Sequence, residues 1–129
     1  MEPVHEVRKL TDQIMSAARG GDFAPFVAAL DDDLEVFDHL PFRFEQKERF
    51  IEHLGHIVIG AKSVSFNFHH ASVRAFGNDV AVVNAYDHLV TAPVDGGAAK
   101  LAPGRTTWVF ARRPQGWKIV SAHFSPMPA

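Results

Sequence analysis

The second half of the chain reads as strand from residue 62 to residue 125, and residues 62–77 alternate between apolar and polar side chains. Such alternation is typical of β-strands, because successive side chains of a strand point to opposite faces of the sheet. Turn sequences divide the run: GND and PQG read as hairpin turns, and a Gly-rich connection covers residues 94–104. The pattern therefore predicts four long antiparallel strands, over residues 62–77, 80–92, 104–113 and 117–125.

The first sixty residues show helical spacing instead. Pro3 suits the first turn of a helix whose apolar residues recur every three or four positions up to Ala18, and Asp22 is a good N-cap for a short second helix. A strand-like stretch near residues 34–38 is followed by a third helical segment over residues 46–58. Helices that precede a run of antiparallel strands predict an α+β domain with the helices packed on one face of a curved sheet.

The composition excludes several classes of protein. A chain of 129 residues with 47% apolar residues fits one domain, residues 1–129, with a substantial core. Its net charge is −2 and its 13 basic residues are scattered, which argues against nucleic acid or an anionic membrane as a partner. The absence of cysteine excludes disulfides, thiolate metal sites and cysteine nucleophiles. No segment has the apolar run of a signal peptide or a membrane span, so we expect a cytoplasmic protein.

Three segments carry a resemblance to a known superfamily. Residues 34–54 (LEVFDHLPFRFEQKERFIEHL), 76–85 (FGNDVAVVNA) and 104–125 (GRTTWVFARRPQGWKIVSAHFS) resemble the SnoaL-like and ketosteroid-isomerase-like proteins of the nuclear transport factor 2 superfamily. The last segment, with an Arg-Thr pair opening one strand and WKIV followed by His and Ser in the next, is the most specific of the three. The resemblance covers nearly the whole chain.

The resemblance implies a cone-shaped α+β barrel, in which the N-terminal helices close one mouth of a strongly curved mixed or antiparallel sheet. It also implies a mostly apolar cavity on the concave face, and eleven Phe and two Trp residues are enough to line one. Proteins of this fold include isomerases, cyclases, dehydratases and non-catalytic binding or assembly modules, so the fold alone does not supply the function. The only tyrosine, Tyr86, does not match the tyrosine of the ketosteroid isomerases, and the Asp-Arg-Asp relay of the epoxide hydrolases is absent. Neither mechanism carries over.

Asp38 is the first candidate catalytic residue. Regular alternation places it on the strand face of Leu34 and Val36, which should point toward the helices. A carboxyl group that is partly withdrawn from water suits general acid or base catalysis. The alternative is that the strand ends at this point and Asp38 meets solvent before Pro41. The neighbouring His39 faces the opposite way unless a bulge turns it inward, so it is either a ligand contact or an edge histidine.

His123 is the second candidate catalytic residue. Lys118 must reach water, and regular alternation then directs Trp117, His123 and Ser125 inward as a set. A histidine and a serine two residues apart on one face can position a ligand or a water molecule. Against this, Phe124 and its neighbours make the opposite face apolar as well, which is also consistent with a structural histidine.

Three further residues are candidate ligand contacts. Tyr86 and His88 end one apolar row of their strand, and Trp108 lies in the next strand, where it would line the cavity. The face opposite Tyr86 is almost as apolar, so periodicity does not decide which face looks inward. Two apolar faces also predict a second layer, most simply the sheet of a partner subunit, and hence a homodimer.

No metal or cofactor is predicted. His53 and His56 lie three residues apart on a predicted helix, but no metal-binding motif accompanies them. We hypothesise a homodimer that binds a small, mostly apolar organic molecule and catalyses a cofactor-free isomerisation, cyclisation or dehydration. The alternative hypothesis is a non-catalytic binding or oligomerisation module.

Overall fold

The computed structural model of the chain describes residues 2–38 and 43–128. Within these residues, three helices and six strands follow one another. They are α1 (Pro3–Arg19), α2 (Ala24–Ala29), β1 (Leu30–Phe37), β2 (Arg43–Phe44), α3 (Lys47–Ile59), β3 (Ala61–Phe76), β4 (Val80–Pro93), β5 (Lys100–Arg113) and β6 (Gly116–Pro126). The predicted α+β class is confirmed, and β5 begins four residues earlier than predicted, inside the Gly-rich connection.

All six strands belong to one mixed sheet in the order β2-β1-β6-β5-β4-β3. The four long strands β3 to β6 pair antiparallel with their neighbours in sequence, as predicted. The pairing of β1 with β6 is parallel and places residues 30–37 beside the last strand of the chain. Within the described residues β2 and β3 are the two edges, so the sheet is open and curved rather than closed into the barrel that the resemblance implied.

The core lies between the helices and one face of the sheet, which we call the inner face. α1 contributes its apolar stripe, including the fully buried Val7 and Ile14, and the only buried residue of α3 is Phe50. Trp108 and Phe110 of β5 meet them from the sheet. Burial of each such side chain contributes about 1.5–3 kcal/mol, which is why packing rather than helix propensity holds these helices in place.

A bulge in β6 determines which side chains face the core. Ile119 pairs with Phe110, whereas Ser121 pairs with Val109, so Val120 is an extra residue on this strand. Because one inserted residue reverses the alternation, the positions after the bulge face the opposite side from the one that regular spacing predicts. A second register shift in β3 coincides with His70, whose φ of 53° is unusual for a residue other than glycine.

An ion pair ties the start of β1 to the end of β5. The guanidinium of Arg113 donates to both carboxylate oxygens of the buried Asp31, from Nε at 3.0 Å and from Nη2 at 3.2 Å. The hydrogen bond from Arg113, helped by the backbone N–H of Asp33, holds the pKa of Asp31 below its ordinary value, and the same pair raises the pKa of Arg113. In the described parts of the chain, no helix has the length and apolar character needed to cross a membrane.

Candidate functional site

A cavity of about 100 Å³ lies between the helices and the inner face of the sheet. Its walls come from α1, α2, α3 and four strands, and among the described residues all of its lining side chains are apolar except Asp38 and Asp87. Concave apolar sites with a few polar groups are the usual binding sites for small molecules. The carboxyl groups of Asp38 and Asp87 are therefore the candidate acid–base groups of the cavity.

Asp38 directly follows β1 and lies in the cavity wall, where its alternation with Leu34 and Val36 places it. Its Oδ2 is 3.2 Å from Nε2 of His53 on α3, and the side chains of Asp38 and His53 are 16% and 24% exposed. His53 also packs against the ring of Phe44 at 5.0 Å. A carboxylate held by an imidazole in a partly enclosed site is a typical acid–base pair.

His53 faces a second, more polar space outside the cavity. An open groove of about 600 Å³ is lined on the described part of the chain by Arg43, Phe44, Glu45, Gln46, Arg49, Glu52, His53 and His56. Asp38 lines the inner cavity and His53 lines the groove, so the pair connects an apolar space with a polar one.

Asp87 lies in the middle of β4 on the inner face and is only 4% exposed. The hydroxyl of Thr106 on β5 donates to its Oδ2 at 2.5 Å. Gly104 makes room for this carboxyl group: a Cβ at that position would lie 2.9 Å from Oδ1 of Asp87 and 2.8 Å from the carbonyl oxygen of Ser125. A glycine here is thus explained by the close approach of the buried carboxylate.

Trp108 is a buried aromatic residue of the cavity wall. Its side chain is 1% exposed, stacks on Phe26 with ring centroids 5.2 Å apart and contacts Phe68 at 4.7 Å. The indole Nε1–H has no hydrogen-bond partner among the described residues. Trp108 lines the cavity, and its contact with a ligand stays a prediction.

The expected orientation of His123 and Ser125 is wrong. His123 is exposed on the outer face, where its ring stacks on that of Phe37 with the ring centroids 6.4 Å apart. Ser125 pairs with Arg105 on the same face. The bulge at Val120 is the physical reason, because it reverses the alternation between Ile119 and the rest of the strand.

Tyr86 and His88 also lie on the outer face, on either side of the inward Asp87 in β4. Tyr86 is 47% exposed, and the ring centroids of His88 and His69 are 4.3 Å apart. They are therefore not part of the cavity wall. His39 lies outside the described residues. Residues 2–38 and 43–128 contain no group of three or more His, Cys, Asp or Glu that could hold a metal ion.

A family model of the SnoaL-like domain matches residues 7–129, nearly the whole chain. The chain belongs to the SnoaL-like family. The resemblance expected from the closing hairpin is thereby confirmed. Among curated proteins, none matches the sequence of this SnoaL-like chain.

Solved structures agree on the fold of this SnoaL-like domain. A provisionally named dehydratase of the NTF2-like family from Streptomyces avermitilis is 21% identical, with a TM-score of 0.79 and coverage of 98% of this chain and 96% of that one. A provisionally named scytalone dehydratase from Novosphingobium aromaticivorans is 10% identical, with a TM-score of 0.82 and coverage of 96% and 83%. A provisionally named calcium/calmodulin dependent protein kinase II association domain from Xanthomonas campestris is 21% identical, with a TM-score of 0.77 and coverage of 99% and 93%. At these identities the likeness shows the fold alone.

Two residues of the SnoaL-like cavity region escaped the sequence interpretation. Asp87 is the one acidic residue in the apolar row from Ala81 to Leu89, and that interruption was the available signal. His53 was considered only as a metal ligand beside His56, because helical spacing says nothing about a contact with a residue fifteen positions earlier.

Proposed function

We propose that the cavity binds a small, neutral, mostly apolar organic molecule and that Asp38 transfers a proton on it without a cofactor. The observation that carries this proposal is the presence of two carboxylates, Asp38 and Asp87, in an otherwise apolar cavity wall. Isomerisation, cyclisation and dehydration of small organic molecules can all proceed by removal of a proton and its return at another atom. A positioned carboxylate is enough for such a step.

The charge of the wall limits the ligand. Among the described residues, no Lys, Arg or His lines the cavity, whereas two carboxyl groups do. An anionic ligand would bring a further negative charge into a site of low dielectric constant, at a cost that no basic side chain offsets. A neutral ligand avoids this cost.

Asp38 and His53 have different tasks in this proposal. Asp38 meets the ligand because it lines the cavity, and it takes the proton as the ligand's C–H bond breaks. His53, on the groove side, holds the carboxylate at 3.2 Å and can exchange a proton with the solvent-filled groove. The proton then returns from Asp38 to another carbon in an isomerisation, or to a departing hydroxyl group in a dehydration. The provisional dehydratase names of two structural neighbours are consistent with this reaction class.

Deuterium uptake tests the proposal before the natural substrate is known. Cyclopentanone is small and neutral, and its carbonyl group acidifies the adjacent C–H bonds. Incubated in D₂O with the purified protein, it should gain deuterium at the α-carbon faster than in buffer, as followed by proton NMR. Asp38→Asn should lower the protein-dependent rate by about 10²–10⁴-fold, the usual contribution of a positioned acid or base.

His123→Ala is the matched control, because His123 lies on the outer face and should leave the rate unchanged. An undiminished rate in Asp38→Asn would overturn the assignment of Asp38, and a loss confined to Asp87→Asn would transfer the role to Asp87. No uptake by the wild-type protein across a panel of small ketones would overturn the catalytic proposal itself.

We also propose that the outer face of the sheet joins two copies of this chain. Five large apolar side chains are exposed there, since each alternates with inward-facing residues of its strand: Phe37, Phe76, Val80, Tyr86 and Leu101. Exposed aromatic groups on one face are typical of an interaction surface. The association domain among the structural neighbours is consistent with such a role for the fold.

Sedimentation equilibrium tests the homodimer. Tyr86→Glu places a charge within the proposed interface and should convert dimer to monomer. Val94→Glu, in the exposed connection between β4 and β5, should leave the dimer intact. A monomeric wild-type protein, or equal effects of the two substitutions, would contradict the proposal.

A further inference from the structure

The outer face of the four long strands carries no carboxylate. Asp87 is the only Asp or Glu within β3, β4, β5 and β6, and its buried side chain faces inward. Every one of these strands nevertheless places a cationic or titratable side chain on the outer face. These residues are His69 and Arg74 of β3, His88 of β4, Arg105 of β5 and His123 of β6.

His69 and His88 contact each other on this face. In the pairing of β3 with β4, His69 lies opposite Tyr86 and Asn67 lies opposite His88, so the two histidines are diagonal neighbours. Their ring centroids are 4.3 Å apart, with an angle of 56° between the ring planes, and both side chains are half-buried. An unperturbed imidazole gains a proton between pH 8 and pH 5, so the contact is a place where charge can build up in that range.

The groups around this pair add positive charge. On β5, Arg105 lies opposite Tyr86 on the same face, one strand beyond His69. At the end of α1, Arg19 donates from Nε to Oδ1 of Asn67 at 2.6 Å, beside His88. The next residue of β3, His70, is exposed and titratable as well. A protonated imidazole of the pair therefore has no counter-ion within β3 to β6.

We infer that protonation of His69 and His88 separates the two copies of the chain that the outer face joins. This inference rests on the proposed homodimer and adds its regulation. His88 is two residues along β4 from Tyr86, on the face that the second copy would cover. Burial of a charged group without a counter-ion is costly, and two charged rings in contact also repel each other. Association therefore favours the neutral imidazoles and releases their protons.

The size of the effect follows from proton linkage. Each imidazole that has to lose a proton on association weakens it about tenfold at one pH unit below the ordinary imidazole pKa near 6.5. Two imidazoles from each copy set an upper limit of about 10⁴-fold at pH 5.5. If repulsion within each pair allows only one proton per copy, the factor is about 10²-fold. We therefore expect the dissociation constant to rise by about 10²–10⁴-fold between pH 7.5 and pH 5.5.

Sedimentation equilibrium of the full chain at pH 7.5 and pH 5.5 tests the inference. The wild-type dimer should weaken by the factor given above. The double variant His69→Gln/His88→Gln carries neutral amides at both positions, so its dissociation constant should differ by less than about tenfold between the two pH values. His88→Gln alone retains one imidazole and should show an intermediate rise. An equal dissociation constant of the wild type at both pH values, or an undiminished rise in both variants, would overturn the inference.

His5→Gln is the matched control. His5 lies on α1, away from the sheet, and its side chain is 68% exposed, so the variant should weaken with falling pH as the wild type does. Circular dichroism and tryptophan fluorescence should be the same at both pH values. A loss of these folded-state signals at pH 5.5 would assign the dissociation to unfolding and overturn the inference.

The outcomes separate this inference from the proposed homodimer. A wild-type protein that is monomeric at pH 7.5 would overturn the homodimer and its regulation together. A wild-type dimer of equal strength at pH 7.5 and pH 5.5 would retain the homodimer and overturn only the role of the histidine pair.

Discussion

The hydroxyl of Thr106 is predicted to support the buried carboxyl of Asp87, and Thr106→Val tests that support. Both side chains are almost fully buried, and the hydroxyl donates to Oδ2 at 2.5 Å. Valine replaces the hydroxyl by a methyl group of similar volume, so packing is retained and one donor to a carboxylate is lost. A hydrogen bond to a charged group contributes about 1.5–3 kcal/mol, and the added methyl burial offsets part of that loss.

We therefore expect Thr106→Val to lower the free energy of unfolding by about 1–2 kcal/mol, or about 4 °C in Tm for each kcal/mol. The assay is urea unfolding followed by the fluorescence of the two buried tryptophans, with an unchanged m-value as a condition. Thr107→Val is the matched control, because Thr107 makes an equivalent bond of 2.6 Å to Asn84 on the solvent-facing side. Thr107→Val should lower the free energy of unfolding by less than about 0.5 kcal/mol.

The effect of Thr106→Val on the free energy of unfolding should change when Asp87 is absent. In an Asp87→Ala background no buried carboxylate loses its donor, so Thr106→Val should be neutral or stabilising. The reasoning would be refuted if Thr106→Val cost no more than Thr107→Val, or if its cost were the same in both backgrounds.

Three further predictions concern the scaffold. Arg113 lowers the pKa of Asp31 in the folded protein below the value near 3.8 that this carboxyl group has in the unfolded chain. The ion pair therefore stabilises the fold fully above about pH 3.8, and this stabilisation is lost as the pH falls through the pKa of Asp31 in the folded state. The stability difference between wild type and Asp31→Asn, measured as urea midpoints against pH, should shrink below about pH 4; a constant difference would contradict this. Phe50→Ala should lower the free energy of unfolding in urea by about 3 kcal/mol. This is the low end for a buried phenylalanine, because a cavity already adjoins the side chain. A loss below about 1 kcal/mol would contradict the expectation. Gly55→Ala should stabilise α3 by about 0.5–1 kcal/mol, since an added Cβ meets no atom within 4 Å; a lower Tm would disagree.

Local sequence patterns predicted the elements of this fold because those elements depend on short-range periodicity. The hairpins around residues 77–79 and 114–116 and the inward position of Asp38 all follow from spacing within one segment. His123 was misplaced because a single-residue bulge changes every later position of its strand, and nothing in the local alternation at Val120 reveals the bulge.

The remaining errors depended on contacts between segments. The two faces of β4 are nearly equally apolar, so its sequence did not decide whether Asp87 or Tyr86 looks inward. The sheet decides it, because the pairing with β5 aligns the inward side chains of both strands, and Asp87 then meets Thr106. The contact between Asp38 and His53 likewise requires α3 to lie across the end of β1, which is a tertiary arrangement.

Alternation along β4 and β5, together with the bulge in β6, distributes the polar side chains of the sheet between its two faces. Side chains of one strand alternate strictly between faces, so a residue that lines the cavity cannot also lie in the outer surface. Asp87 and Trp108 project from the inner face into the cavity wall, whereas Tyr86 and His123 project from the outer face. If both proposals hold, substitutions on the outer face should alter assembly while leaving deuterium uptake per folded subunit unchanged. A loss of uptake in the monomeric Tyr86→Glu protein would instead mean that the cavity needs the second copy to keep its shape.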